Sequence, residues 1–440
     1  MEKRSISIFT ATSVVIANMI GTGVFTSLGY QVLGLHSGLS LMILWLLGGV
    51  ASLLGALCYA EIGAALPQSG GEYNYLSRIY HPSLGFLSGW VSATVGFAAP
   101  IAAAAMAFAG YLKQGGVLGT ILIGNTDITG MVTASILVVL ISGVHFLKVS
   151  IGSRFQNVFT SVSLLTIVFI IVAGLMAGRS GNAGFGFSQG VWKDLLSPSF
   201  AVSFFFVSFA YSGWNAAAYI AGELDQVQKN LPKALLRGTA FVTLLYVLLN
   251  FVFLYTTPLE ELAGQKEVGF LAATHIFGII GGKIMAVVIA IKLISTVSSM
   301  TLAGPRIISA MGQDLPALKK LSQLNKHGVP AIAIGTQTAI ALLFVLTASF
   351  EQVITFIGFT LTLFTLLTVV GLMVLRIKQP NLDRPFKVPF YPITPLLFIG
   401  INVWLLYFGI SAKPLVSLAA LGVVVSGLGV YFIGKGKSAN

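Results

Sequence analysis

Long apolar segments separated by short polar intervals follow one another along the whole chain. A helix needs about 20 apolar residues to cross a bilayer, and twelve segments of about that length can be marked off. They lie near residues 6–30, 38–64, 84–112, 128–147, 155–178, 199–221, 236–257, 284–306, 329–349, 352–375, 391–411 and 414–434. Short segments of alternating polarity, which would indicate a membrane β-barrel, are not seen. The pattern predicts an all-α integral membrane protein with twelve transmembrane helices.

Composition agrees with this pattern and indicates one domain. Of the 440 residues, 56% are hydrophobic and 9% are charged, which is more apolar than a soluble core could bury. The polar intervals lack linker composition, so we expect a single transmembrane domain over residues 1–440. No signal-peptide cleavage pattern precedes the first span, which we expect to be retained. Cys58, the single cysteine, is expected to be an inert core thiol.

The net charge of +12 is distributed unevenly along the chain. If the N-terminus is cytoplasmic, most of the 25 Lys and Arg residues fall in inner loops and tails, from Lys3 and Arg4 to Lys435 and Lys437. The positive-inside rule then predicts that both termini are cytoplasmic, in a multi-pass protein of the cell (inner) membrane. The basic excess is a topology signal, and no nucleic-acid partner is expected.

The interval between the seventh and eighth spans has a pattern of its own. Residues 256–262 (TTPLEEL) look like a capped helix start, and residues 269–278 are apolar but too short to cross a bilayer. We expect an outer hairpin here that packs over the helix bundle.

Two spans carry interruptions at corresponding places. The first contains GTG at residues 21–23, and the sixth, five spans later, contains Ser-Gly at residues 212–213. Interrupted spans in two five-helix halves are typical of inverted-repeat transporters. The repeats would cover about 6–178 and about 199–375, followed by two extra helices at about 391–434. Glycine is also common in packed membrane helices, so the spacing alone leaves both interpretations open.

A broken helix releases backbone groups that can bind a ligand. At membrane depth such groups are tolerated only where protein or a water-filled cavity satisfies them. The N–H groups of Gly21, Thr22 and Gly23, at the positive end of the following half-helix, suit a carboxylate. The carbonyl groups released around the two breaks suit an ammonium group or a cation; they belong to Met19, Ile20, Phe209, Ala210 and Ser212. A ligand that carries both groups on one carbon is an α-amino acid.

Four motifs, in order along nearly the whole chain, resemble the amino acid-polyamine-organocation (APC) transporters, most closely the L-type and related amino acid permeases. They are residues 20–25 (IGTGVF), 59–63 (YAEIG) with 66–73 (LPQSGGEY), 209–215 (FAYSGWN) and 384–392 (RPFKVPFYP). The resemblance implies a LeuT-like 5+5 inverted repeat with broken helices 1 and 6 and two extra helices. It also implies a secondary transporter, not an enzyme, that uses no cofactor and binds an amino acid at the two breaks, where Gly213 lies.

The resemblance implies gating roles near the inner mouth. Glu61 and Glu72 flank a loop that is a re-entrant cytoplasmic gating segment in the family, although capped helix ends in a solvated loop would look the same. Trp214 would line the vestibule, or it would simply pack in the bundle. Asn215 stands where relatives that carry cationic substrates have an acid, which favours neutral amino acids.

The positions of the acidic residues favour neutral substrates independently. All 13 of them fall at span ends or in loops by the boundaries above. A carrier of arginine or polyamines would need an acid near the midplane, because an unpaired buried charge is costly. The predicted function is secondary active transport of neutral L-amino acids by alternating access, as a proton-coupled symporter or an exchanger. A sodium-coupled symporter is the alternative.

One lysine lies where the family pattern does not place it. Many members carry a lysine in the fifth span, whose ammonium group occupies the region where sodium-coupled relatives bind their ion; here that position is judged to hold Ser163. Lys292 instead lies inside the eighth span, where a lysine costs about 2.5–3.5 kcal/mol or more unless it is satisfied. It shares one helix face, by the i, i+3, i+4, i+7 spacing, with Ser295, Thr296 and Ser299.

We hypothesise that Lys292 replaces the span 5 lysine from across the site and bonds carbonyl groups of the first span. Its charge would stand in for sodium, and it could also carry a transported proton. Two alternatives remain: the side chain reaches the outer interface, or the hydroxyl face binds sodium directly.

Other protein classes find little support. The five histidines are scattered near span ends without metal-ligand spacing, and neither a nucleophile elbow nor a Walker loop is present. Neither a metal site nor an enzyme is predicted. The expected partners are the amino acid, the lipid bilayer and H⁺ or Na⁺; a channel, a non-transporting amino acid sensor, the oligomeric state and an accessory subunit are left open.

Overall fold

The computed structural model describes residues 6–147, 149–178 and 180–436. Lys3, Arg4, Lys148, Arg179 and Lys437, which enter the charge argument, lie outside these residues. The α-helices of the described chain are α1 (Ile8–Met19), α2 (Gly23–Gln31), α3 (Gly38–Ala65), α4 (Glu72–Ile79), α5 (Pro82–Val91), α6 (Ala98–Gln114), α7 (Thr129–Leu147), α8 (Val149–Ala177), α9 (Gln189–Leu195), α10 (Pro198–Tyr211), α11 (Val227–Thr256), α12 (Leu259–Leu262), α13 (Val268–Asp314), α14 (Ala331–Thr347), α15 (Phe350–Lys378), α16 (Ile393–Ala412) and α17 (Pro414–Gly436).

Short elements connect these helices. A π-helical turn (Ser92–Gly96) joins α5 to α6, and 3₁₀ helices follow α10 (Ala216–Glu223) and α13 (Pro316–Ser322). One antiparallel pair of two-residue strands, Leu122–Ile123 and Thr126–Asp127, precedes α7. The predicted all-α class is therefore confirmed.

The helices of the described chain are long and apolar enough for a multi-pass membrane protein. Ten helical segments could each cross a bilayer, and α9 with the segment from Pro198 to Glu223, bent by 68°, would make an eleventh. Apolar side chains on outer faces stay exposed, as the 71% and 82% exposure of Leu165 and Met176 on α8 shows. Such a surface suits lipid. The predicted count of twelve depends on α14, which is apolar but only 17 residues long.

Both described ends of the chain lie on one face of the bundle, here called the termini face. Near the N-terminus, the N–H group of Ile6 donates to the carbonyl of Glu223 at 2.7 Å. The end of that 3₁₀ helix touches the loop before α4, since Gly222 N donates to Ser69 Oγ at 2.9 Å. At the C-terminus, Gly434 lies against Leu315, directly after α13.

The first and sixth spans are broken at the predicted places. α1 ends at Met19 and α2 begins at Gly23, two half-helices separated by three residues of the chain. In the sixth span α10 ends at Tyr211, and a 3₁₀ helix resumes only at Ala216. Gly213, between them, has a φ of 94°, which L side chains rarely adopt. The glycines thus lie where the helices stop.

The expected hairpin between the seventh and eighth spans is present, with one difference from expectation. α12 begins after Pro258, which makes no capping hydrogen bond, so the expected local cap is wrong; the N–H of Leu259 donates instead to Asn182 Oδ1 at 2.9 Å. α13 is interrupted at Gly278 (φ 74°), so its first part is a short helix lying before the span. The hairpin packs on α2 and α6: Tyr111 Oη donates to the carbonyl of Phe25 at 2.7 Å and accepts from Gly269 N at 3.1 Å.

Candidate functional site

The two breaks touch each other inside the bundle. A Cβ atom added at Gly23, the first residue of α2, would lie 2.4 Å from Cα of Ala210 near the end of α10. A Cβ atom added at Gly213 would lie 2.8 Å from the carbonyl carbon and oxygen of Asn18. Only glycine permits backbones to approach this closely. The sequence pattern therefore brings the start of one half-helix against the end of the other.

A cavity of about 1150 Å³ extends from the termini face to these breaks. It is lined next to the breaks by Asn18, Phe209, Ser212 and Gly213, and beyond them by Trp214, Asn215 and Ser299. Of the predicted substrate-binding residues, Met19 to Gly23 and Ala210 do not line it. On the side of the bundle away from the termini face, the ring of Tyr30 stacks on Phe206 and Phe350, with centroids 5.2 and 6.3 Å apart. These contacts join α2, α10 and α15.

Several backbone groups expected to be free are bonded within the protein. The carbonyl of Met19 accepts from Tyr246 Oη at 2.5 Å and from Gly21 N at 2.7 Å. The carbonyl of Phe209 accepts from both the N–H and the hydroxyl of Ser212, at 3.0 and 2.7 Å. The expectation that the Gly21 N–H and these two carbonyls are unpaired is therefore wrong for this conformation. The physical reason is that a buried backbone group without a partner costs free energy.

The N-terminus of α2 still offers backbone N–H groups that could bind an anion. The first N–H groups of any α-helix have no intrahelical acceptor. In α2, whose N-cap residue Thr22 makes no side-chain cap, these belong to Gly23 and Val24, since the N–H of Phe25 already donates to the carbonyl of Thr22 at 2.9 Å. Thr22 and Ile20 are themselves buried, at 2% and 3% exposure. The positive end of α2 points at the junction of the two breaks.

Lys292 is buried and reaches the first break. Its side chain is fully buried, and Nζ donates to the carbonyl oxygen of Gly21 at 2.6 Å. Nζ also lies 5.0 Å from the centre of the Phe25 ring, within cation–π range. The alternative in which this side chain extends to the outer interface is therefore wrong. Among the described residues, no acidic side chain forms an ion pair with Lys292.

The hydroxyl-bearing face of α13 follows Lys292 along the break. A Cβ atom added at Gly21 would lie 3.7 Å from Cγ2 of Thr296, so this face packs on the break. Ser299 Oγ donates to the carbonyl of Thr296 at 3.1 Å and reaches the cavity. Ser295, and Ser163 on α8, are also buried, at 4% and 2% exposure. The predicted helix face is thus present, with the lysine at one end and the cavity at the other.

Glu61 lies in a buried ion cluster away from the cavity. Its two carboxylate oxygens accept from Arg376 Nε and Nη2 at 2.8 and 2.6 Å, in a bidentate pair. Arg384 Nε lies 3.5 Å away, and the N–H of Val388 donates at 2.7 Å. The guanidinium of Arg376 also stacks 3.7 Å over the ring of Tyr391. Glu61 therefore ties α3 and α15 to the 384–392 motif, and a solvated loop end is excluded.

Glu72 is buried beside the second break. It accepts hydrogen bonds from Tyr59 Oη and Asn215 Nδ2, both at 2.7 Å, and from Tyr219 Oη. Burial raises the pKa of the Glu72 carboxyl, and the hydrogen bonds from Tyr219, Tyr59 and Asn215 oppose that rise. Glu72, which belongs to the segment between the second and third spans, thus contacts Asn215, the residue expected to sense the substrate, because α4 folds back against the bundle. Residue positions along the chain could not show this.

Trp214 both packs and lines the cavity. Its ring meets Tyr59 edge-on, with centroids 4.7 Å apart, and Phe398 at 6.3 Å. It is 7% exposed, and the exposed part faces the cavity. The two interpretations of this residue are therefore compatible.

Comparison with known proteins shows what kind of molecule has this arrangement. A sequence profile described as amino acid permease matches residues 6–426. The chain belongs to the amino acid permease family. Its APC resemblance is confirmed, and the permease is a membrane transporter of amino acids and not an enzyme.

Three relatives match over nearly the whole permease. The serine/threonine exchanger SteT of Bacillus subtilis is 31% identical over 444 residues, which cover 100% of this chain and 98% of that protein. The large neutral amino acids transporter small subunit 2 of Mus musculus is 29% identical over 98% of this chain and 81% of its own length. The b(0,+)-type amino acid transporter 1 of Homo sapiens is 29% identical, with 98% and 88% covered.

Several tyrosines of the permease that hold the site together were given no role by the sequence analysis, although two of them, Tyr59 and Tyr73, lie within the motifs. Tyr246 bonds the first break, Tyr59 and Tyr219 bond Glu72, and Tyr73 Oη donates to Asp314 at the cavity mouth. The available signal was the presence of tyrosine in apolar helices, because a buried phenol needs a hydrogen-bond partner. That signal does not identify the partner, which in each case lies elsewhere in the chain.

Proposed function

We propose that the permease exchanges neutral L-amino acids across the cell membrane by alternating access. The observation that carries this proposal is the contact between the two helix breaks, which lie at the deep end of a large cavity, away from the termini face. The substrate carboxylate would bind at the N-terminus of α2, near Thr22 and Gly23. Its ammonium group would face the carbonyl-rich ends of α1 and α10, where Ile20, Ala210 and Ser212 lie.

The chemistry of the cavity next to the breaks supports a neutral side chain. The lining there consists of neutral residues: Asn18, Phe209, Ser212 and Gly213. The described acids that line the cavity are Glu223 and Asp314, both at the termini face, and Asp314 accepts from Tyr73. The relatives named for large neutral amino acids and for serine and threonine point the same way.

Lys292 supports exchange or proton coupling over sodium coupling. Its Nζ donates to the Gly21 carbonyl at 2.6 Å, and in the protonated form it would place a positive charge beside the first break. A sodium ion bound on the Ser295, Thr296 and Ser299 face would be repelled by this charge at short range. We therefore propose Lys292 as the fixed cation of the site and Ser163 as a neutral residue at the usual lysine position. Proton symport stays the second candidate.

The topology that fits this function has twelve crossings. Two ends on one face require an even number of crossings, and ten spans, the bent sixth span and α14 add up to twelve. α1–α8 would then form one repeat and α9–α15 the inverted second, with α16 and α17 as the extra helices. The basic residues of the termini face support a cytoplasmic location for this face, in line with the positive-inside rule. The cavity would accordingly be open to the cytoplasm.

Counterflow in proteoliposomes tests the proposal. Uptake of radiolabelled L-serine, L-leucine and L-arginine is measured into vesicles that are empty or preloaded with the same amino acid, with and without proton or sodium gradients. We expect uptake of a neutral amino acid to be stimulated strongly by the internal amino acid, and arginine to be excluded. Concentrative uptake driven by one gradient into empty vesicles would replace exchange by symport. Ion currents without saturable counterflow would contradict a transporter altogether.

A further inference from the structure

The Glu72 carboxylate connects three parts of the permease at one point. Its donors come from α3 (Tyr59), from the broken segment of the sixth span (Asn215) and from the 3₁₀ helix that follows it (Tyr219). The residue is only 4% exposed. Two of the donors, Asn215 and Tyr219, line the cavity on their other side. Glu72 is therefore one side chain away from the space that substrate and water would enter.

Among the residues that the structure describes, no cation is paired with this carboxylate. None of the ion pairs in the described part of the chain includes Glu72. Arg78, on the same helix, is exposed at the cavity mouth. On the elements around α4, Arg376 and Arg384 are engaged with Glu61, Lys378 with the carbonyl of Ile79, Asp314 with Tyr73, and His81 with Ser83. Two further charged residues, Glu223 on the 3₁₀ helix of Tyr219 and Arg306 on α13, are exposed and line the cavity.

A further titratable group near Glu72 is a phenol that makes no bond to it. Tyr75, also on α4, packs edge-on against Tyr59 with ring centroids 6.0 Å apart. Its hydroxyl is buried without a hydrogen-bond partner among the described residues. A buried acid without a counter-ion holds its negative charge only through hydrogen bonds, so its proton affinity depends on those three donors.

We propose that Glu72 is a proton-binding site of the permease, reached through the cavity, and that its proton controls how tightly α4 holds the segment after the second break. The ionised carboxylate accepts three charge-assisted hydrogen bonds, which are roughly twice as strong as neutral ones. The neutral carboxyl holds the same donors more weakly. Any rearrangement that separates α4 from Asn215 and Tyr219 would then differ in cost between the two protonation states. This inference goes beyond exchange itself and rests on the proposed function only for its assay.

The test is the pH dependence of exchange in proteoliposomes with the lumen and bath held at equal pH. The initial rate of exchange of L-serine or L-leucine, whichever is exchanged faster, is measured from about pH 5 to about pH 9, the range reported for buried carboxyl groups. Wild-type permease is expected to show two rate plateaus joined by a one-proton transition. Glu72→Gln, whose side chain mimics the neutral acid, is expected to remain at the acid plateau at every pH.

A pair of tyrosine variants separates a proton site from a structural role. Tyr219→Phe removes a donor that favours the ionised form, so the transition should move to higher pH by about one to two units. Tyr75→Phe removes a neighbouring hydroxyl that makes no bond, so the transition should not move. This comparison keeps the proposal testable if Glu72→Gln does not fold.

An infrared difference spectrum between acid and alkaline pH gives a second measurement, independent of transport. The band of a protonated carboxyl group should be present in wild type and lost in Glu72→Gln. A transition that survives in Glu72→Gln belongs to another group, Lys292 included, and would overturn the proposal, as would a wild-type rate without any transition. In both cases counterflow would persist, whereas failure of the exchange function would abolish counterflow in wild type as well.

Discussion

Lys292→Ala is expected to lower the rate of amino acid exchange by about 10- to 100-fold. The substitution removes the 2.6 Å hydrogen bond from Nζ to the carbonyl of Gly21 and leaves that carbonyl without its partner. A hydrogen bond to a charged group contributes about 1.5–3 kcal/mol, and about 1.4 kcal/mol corresponds to a tenfold change in rate. Because Gly21 lies in the break itself, loss of this hydrogen bond should destabilise the conformation of the first span that binds the substrate. The measurement is the initial rate of counterflow in proteoliposomes.

Lys283→Ala is the matched control for this prediction. Lys283 lies on the same helix and carries the same charge, but it is exposed and takes no part in the contact at Gly21. Its replacement should leave counterflow near the wild-type rate. Unchanged counterflow in Lys292→Ala, with unchanged pH dependence, would remove Lys292 from the proposed site. A sodium dependence that appears only in Lys292→Ala would instead support the view that the ammonium group occupies a cation position.

The breaks in the two spans could be predicted because their cause is local. Residues 21–23 and 212–213 contain glycine in otherwise apolar helices, and the helices stop within a residue or two of these positions. The same local character explains why the face of α13 that holds Lys292 could be predicted, since helical spacing alone places these residues together. The local sequence pattern therefore predicts that the site involves the two broken helices and this face of α13.

The partners of the polar groups could not be predicted, because they lie far away in sequence. Glu61 meets Arg376 across 315 residues, and Glu72 meets Asn215 across 143. Nothing in either motif distinguishes an acid that faces solvent from one in a buried cluster. The same holds for the carbonyl of Met19, which the sequence leaves available for a cation but which Tyr246, 227 residues away, occupies in the structure. Long-range pairing decides which of the released groups can meet a ligand.

The predicted count of twelve spans depends on the length of α14. α14 is apolar over its whole length, but its 17 residues are fewer than the roughly 20 that cross a bilayer without tilt or thinning. Composition cannot distinguish a short span from a buried helix. The proposed twelve crossings therefore rest on the position of the two described chain ends, which only the three-dimensional structure supplies.

Gly23→Ala is expected to destabilise the folded permease strongly. The added Cβ would lie 2.4 Å from Cα and 2.6 Å from Cβ of Ala210, so the start of α2 and the end of α10 would have to separate. Overpacking of a well-packed core costs about 1–3 kcal/mol and more where backbone must move. Since the nearest atom here belongs to the backbone, we expect the free energy of unfolding to fall by about 3 kcal/mol or more. The readout is the melting temperature and the yield of monodisperse protein in detergent.

Gly21→Ala, two residues earlier in the same motif, is the control for that steric argument. Its added Cβ would meet Thr296 Cγ2 at 3.7 Å and the carbonyl oxygen of Met19 at 3.8 Å, both ordinary contacts. We therefore expect a change within about 1 kcal/mol in stability, whatever happens to transport. Equal melting temperatures for the two variants would show that the half-helices are not in close contact. The substrate site would then need a different account, because the meeting of the two breaks is what brings the positive end of α2 to the end of α10.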